Sequence, residues 1–174
     1  HPALEVVQGD FSEHDRVREA VRGVDFVIVA AGDKKTSKRS LFMLALVQAV
    51  VAGMREHGVR RLVFQAGATT FVPGESVPWH HQWVLRPMIA LLGWSGSMRD
   101  NDAVAAWLVA EAQDVSWTVL RPSMIRDRPT EGVVVASPTL SDPVSFVDLA
   151  RFHLDVAVDG SHRHAFPWVA YAPA

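Results

Sequence analysis

The chain has 174 residues, 49% hydrophobic and 21% charged, enough for one globular domain with a sizeable core. Its 17 basic and 19 acidic residues leave a formal charge of -2, which argues against a nucleic-acid or anionic-membrane partner. Cysteine is absent, so disulfides, thiolate nucleophiles and cysteine-ligated metals are excluded, and the reducing cytoplasm is the expected compartment.

Leu4, Val6 and Val7 predict a short strand ending at Gly9 and Asp10. Ser12 with Asp15 resembles a capping pair, opening a surface helix with Val17, Ala20 and Val21 as its apolar face up to Gly23. Phe26 to Ala31 is a continuous β-branched run, predicting a strand buried on both faces. Ser40 to His57 has helical spacing, with Gly58 where a left-handed cap belongs. Its apolar stretch, Leu41 to Met54, is interrupted by Gln48 and falls short of the roughly 20 residues a bilayer requires. No basic segment leading into an apolar core opens the chain, so no secretory signal is expected. A strand follows at Arg61 to Gln65, a helix at about Asp102 to Ala112, a strand at Trp117 to Leu120, and a late helix capped by Ser145 and Asp148. This alternation predicts an α/β, mostly parallel sheet with helices on both faces. Residues 70–98 break the rhythm with Phe71, Trp79, Trp83 and Trp94, and read as an aromatic-rich insertion or lid within a single 1–174 domain.

The segments EVVQGDF (Glu5 to Phe11), GVDFVIVAAG (Gly23 to Gly32), GVRRLVFQAG (Gly58 to Gly67) and WTVLRPSMI (Trp117 to Ile125) stand in a specific order. Together with SFVDLARFHLDVAVD (Ser145 to Asp159), they resemble the NAD(P)-binding atypical short-chain dehydrogenases. That group includes the NmrA-like proteins and the flavin and biliverdin-IXβ reductases. The resemblance implies a Rossmann-like fold with NADP or NAD as cofactor, lying beyond the carboxyl ends of the strands. It places the adenine near Asp10 and Phe11, and the ribose over Ala30, Ala31 and Gly32. The nicotinamide falls near Gln65, Ala66, Gly67, Pro122, Ser123 and Met124. Gln65 and Ser123 carry groups able to orient an amide or carbonyl, although satisfying strand-end backbone groups explains them equally well. The cations of Lys34 to Arg39 follow the ribose loop and read as a phosphate contact or a solvated run.

A dinucleotide fold opens with a strand, a glycine-rich turn and a helix whose first amides hold the pyrophosphate. No GxGxxG is present in these residues. By the resemblance, about one βαβ unit is expected before His1, so the first βα unit of the fold is missing here. The Tyr-x-x-x-Lys pair of ordinary short-chain dehydrogenases is also absent, Tyr171 being the single tyrosine. Where the biliverdin-type reductases carry a serine and a histidine, this sequence has Gly67 and Met124. Candidate catalytic residues are therefore Ser123, His80 and Asp102, the last standing beside Arg99 either as a lining of the substrate pocket or as a surface ion pair. Asp100 or Asn101 is expected to cap the helix that follows. No metal site is expected, because the pairs His80/His81 and His162/His164 lack a third ligand. Trp79, Trp83 and Trp94 are the candidate substrate pocket, suited to a flat apolar small molecule, or else a subunit interface in a homo-oligomer.

The resemblance implies an NAD(P)H-dependent oxidoreductase transferring hydride to a conjugated acceptor such as a flavin or quinone, provided the leading unit is present. Two alternatives stand beside it: a cofactor-independent isomerase or cyclase, and a non-catalytic NmrA-like sensor or interaction domain.

Overall fold

The computed structural model describes residues 4–31, 41–76, 79 and 81–173. Three parallel strands, β1 (Phe26–Val29), β2 (Arg61–Gln65) and β3 (Ser116–Leu120), form the central sheet in that order. Their register is continuous, with Phe26 opposite Arg61 and Arg61 opposite Ser116, so all three strands end at one edge.

The pleat sends alternate residues to opposite layers. Val29, Leu62, Phe64, Trp117 and Val119 pack with helices α2 (Phe42–His57) and α4 (Ser95–Glu111). Phe26, Ile28, Val63 and Leu120 pack with helix α5 (Phe146–Asp159) on the other side. An α/β sheet with helices on both faces is therefore what the chain forms.

The helices follow their local signals in most places. Gly58 ends α2 in the left-handed conformation at φ 75°, and Ser145 caps α5 by accepting the amide of Asp148. Helix α1 (His14–Ala20) packs on α2 at Gly53, where a Cβ would stand 2.8 Å from the backbone of Arg18. Only glycine allows that approach.

Several expectations are corrected. Leu4 to Gln8 is not a strand: Leu4, Val6 and Val7 are exposed, because no strand among the described residues lies alongside to bond with them. β1 is shorter than the Phe26 to Ala31 run, and only Val29 is buried, since it is the edge strand of the described sheet. Ser12 does not cap α1: Glu13 occupies that position without a side-chain bond, while the Ser12 amide and hydroxyl both bond the Asp10 carboxylate. Helix α4 starts at Ser95, seven residues before the expected Asp102. It continues from a π-helical turn His81–Leu85, the short α3 (Arg86–Ile89) and a second π-helical turn Ala90–Trp94 that kinks at Gly93, where φ is 89°, so much of the aromatic-rich insertion is helical.

Beyond the sheet, β4 (Ile125–Arg126) pairs in parallel with β6 (Val144–Ser145). β5 (Val134–Ser137) pairs antiparallel with β7 (Trp168–Tyr171). These pairs brace the segment after β3 and the start of α5.

Candidate functional site

The carboxyl ends of β1, β2 and β3 deliver Ala30–Ala31, Ala66–Gly67 and Pro122–Ser123 to one edge of the sheet. Among the described residues of that edge, the loop after β2 is heavily tied. The Ala66 amide donates to the Leu120 carbonyl at 2.9 Å, and the Thr70 hydroxyl and amide both donate to the Gly67 carbonyl, at 2.7 and 3.0 Å. Trp168 Nε1 donates to the Ala68 carbonyl at 3.0 Å. Farther along, Glu75 meets Arg121 in a two-point ion pair at 2.7 and 2.8 Å. The Arg121 guanidinium is only 3% exposed, lies 3.9 Å over the Trp168 ring, and also donates to the Phe166 carbonyl. Its charge is buried but fully engaged, which is what allows it to sit there.

Gly67 itself is open. A Cβ built there would meet only Asn101 Nδ2, at an ordinary 3.8 Å, and its backbone needs no positive φ. The loop after β2 thus leaves the Gly67 backbone uncovered on its Cβ side while hydrogen bonds hold its carbonyls.

Asp102 is tied to that loop rather than to Arg99. Its carboxylate accepts the Phe71 amide at 2.7 Å and pairs with Arg86 at 2.6 Å, while Arg86 also donates to the Thr69 carbonyl. Arg86 therefore fastens the aromatic segment to both α4 and the β2 loop. Asp100 does not cap its own helix, which began five residues earlier. Its carboxylate, 5% exposed, accepts the amides of Met43 and Leu44 at 2.7 and 2.9 Å and so caps α2. A helix start of this kind attracts anions, but these two amides are already taken.

Of the other candidates, Ser123 donates its hydroxyl to the Asp142 carbonyl at 3.0 Å. Pro122 is buried and Met124 is 56% exposed. Gln65 is half-buried at the end of β2. Phe11 packs its ring 6.3 Å from Phe42, placing Asp10 and Phe11 beside the start of α2. Trp79 and Trp83 are exposed, and Trp94 partly so. Gly32, Lys34 to Arg39 and His80 lie outside the described residues. Tyr171 belongs to a different cluster: its hydroxyl donates to Asp148 and accepts the Ser145 amide. The amide of Glu131, with the hydroxyls of Ser145 and Tyr171, holds the Asp148 carboxyl below the usual range. Among the described residues, no three metal-ligating side chains cluster, and no helix is long and apolar enough to cross a membrane.

Arg86, Glu75, Arg121 and Trp168 were not legible as site residues, because their partners are distant in sequence. Asp100 did leave a signal. It shares a helical face with Val104 and Leu108, and a carboxylate on a buried stripe requires donors from elsewhere.

A family model described as NAD(P)H-binding matches residues 1–159. The chain belongs to this family. The NAD(P)H-binding domain is 27% identical over 99% of its length to the oxidoreductase stcQ of Emericella nidulans, and spans 64% of that protein. Among solved structures it is similar to the anaerobillin reductase ChuY of Escherichia coli O157:H7. The TM-score is 0.71 at 15% identity, covering 95% of this chain and 76% of that one. A short-chain dehydrogenase/reductase of Veillonella parvula, solved with NADP, matches at TM-score 0.65 and 16% identity, covering 100% and 75%. The oxidoreductase ylbE of Lactococcus lactis matches at TM-score 0.71 and 12% identity, covering 98% and 73%. The fold is thus that of NAD(P)-binding Rossmann proteins, and NAD(P) is the family's cofactor.

Gly67 carries no side chain and the residues after β1 are alanines, so the backbone at both strand ends is open to close approach. The Met43 and Leu44 amides near the start of α2 are not available to a pyrophosphate, since Asp100 holds them.

Proposed function

We propose that the domain holds the nicotinamide of NAD(P)H against Gly67, with Gln65 and Ser123 at its rim, and serves reduction of a flat conjugated acceptor such as a flavin or quinone. The observation that carries this reading is the open surface at Gly67 within a loop fixed by Trp168, Arg86 and Asp102. Bound NAD(P)H supplies a hydride, two electrons with one proton, and an acceptor of this kind takes its second proton from water. The protein's contribution is then to hold two planes face to face and keep them from sliding.

The two candidate acids among the described residues support an acceptor that needs no proton from either of them. Asp102 is ion-paired with Arg86, and the Ser123 proton is directed at the Asp142 carbonyl. Adenine contact at Asp10 and Phe11, and acceptor contact at Trp79, Trp83 and Trp94, belong to the same proposal. The small-molecule partner is expected to be apolar and planar.

The test is Gly67→Val in the full-length protein. The Cβ has room there, so the unfolding temperature should stay within a degree or two, while NADPH-dependent reduction of flavin and quinone acceptors falls at least tenfold. Equal turnover in the variant would overturn the placement. Tight NADPH binding without reduction of any flavin, quinone or linear tetrapyrrole would overturn the acceptor class.

A further inference from the structure

Helix α5 buries Leu149, Phe152, His153 and Val156 against the sheet. At 100° per residue, the side opposite that face carries Val147, Ala150, Leu154 and Val158. Val147, Leu154 and Val158 are 46%, 50% and 74% exposed. A surface helix normally turns charged and polar groups to solvent there. This one has two apolar stripes, and the outer one is contiguous from Val147 to Val158, about 16 Å at 1.5 Å per residue. Contiguous exposed apolar surface of this kind marks an interaction site.

Beside the stripe stand Arg151 and Asp155, both exposed, with no ion pair formed by either among the described residues. Their order along the helix identifies the occupant. When two copies of α5 lie antiparallel about a two-fold axis near residue 153, Arg151 of each faces Asp155 of the other on the same flank. Leu154 meets its own counterpart near the axis, and Val147 meets Val158. The stripe and its charges are thus complementary to themselves, as an isologous interface requires. A membrane surface would select an excess of Lys and Arg along the edge, whereas these two charges cancel.

We propose that α5 is the two-fold contact of a homodimer, sealed by Leu154 and set in register by reciprocal Arg151–Asp155 pairs. The interface lies on the outer side of the α5 layer, so two strand-end sites are formed independently in the assembly.

Sedimentation velocity on the full-length protein over a concentration series tests this. The native protein should dimerise, and Leu154→Glu should weaken the dimer by more than tenfold with an unchanged circular dichroism spectrum. Arg151→Glu and Asp155→Arg should each weaken it about tenfold, because each brings like charges together. Mixing these two single variants should restore a dimer, since the glutamate introduced in one then faces the arginine introduced in the other; the double variant should dimerise alone for the same reason. A native protein that stays monomeric at hundreds of micromolar overturns the proposal. So does a dimer indifferent to Leu154→Glu, or charge variants that fail to complement on mixing; complementation stays decisive even where Leu154→Glu does not fold.

Discussion

Asp100 stabilises a helix other than its own, and its two amide contacts replace the cap that α2 lacks. The residue at the cap position, Leu41, sits in the left-handed region at φ 54° and makes no side-chain bond to the helix. Asp100→Ala should therefore leave the Met43 and Leu44 amides without partners and cost about 2–3 kcal/mol, read as a lower urea midpoint with unchanged slope. Asp100→Asn keeps one acceptor oxygen and should lose about half as much. Equal midpoints for Asp100→Ala and the native protein would remove the capping role. His153 gives a pH dependence from the same kind of accounting. Its Nδ1 donates to the Leu149 carbonyl at 2.8 Å, its Nε2 is buried with no partner, and burial lowers its pKa. The unfolded chain then takes up this proton at about pH 6.5 while the folded one does not. Its contribution is complete above that value and is lost as pH falls toward the depressed folded pKa. Subtracting the stability of His153→Leu from that of the native protein across pH 7.5 to 5 should leave a difference that shrinks on acidification. A flat difference would mean that the buried nitrogen finds a proton acceptor.

At the scale of elements, strands and helices with their own local signals were legible. Arg61 to Gln65 and Trp117 to Leu120 are hydrophobic runs that become buried strands, and Gly58 and Ser145 mark helix ends where they occur. Leu4 to Gln8 has the same composition and stays exposed, because a strand is completed by its neighbours and not by its own side chains. The site was legible only as a set of strand ends; its fastenings were not, since Arg86 and Asp102, or Glu75 and Arg121, carry no local mark of pairing. Arg86–Asp102 holds the aromatic segment, and its loss should free that element before it unfolds the domain. Arg86→Ala should cost about 1–3 kcal/mol of local stability, measured as roughly tenfold faster proteolysis within residues 79–94 with a smaller change in global unfolding. Asp102→Asn should behave alike. An Asp102→Asn protein with native protease resistance and collapsed turnover would show instead that Asp102 acts on the reacting groups.

The whole molecule couples its two layers through β2, whose Leu62 and Phe64 face α2 and α4 while Val63 faces α5. Alternation within one short strand thus joins both cores, and the loop that leaves it at Ala66 inherits their rigidity. A ligand bound on that loop should accordingly report on the stability of the entire fold and not of a local flap. NAD(P)H binds the folded state alone, so cofactor at a hundred times its dissociation constant should add about 2.7 kcal/mol to unfolding. For a domain of this size that is a rise of roughly 5–10 °C in Tm, seen as one shifted transition by calorimetry of the full-length protein. Gly67→Val should abolish the rise while leaving the cofactor-free Tm in place, because its Cβ meets only Asn101. A native Tm unmoved by millimolar NADPH and NADH would mean that the strand ends do not make up the cofactor site. A rise retained in Gly67→Val would move the nicotinamide off the β2 loop.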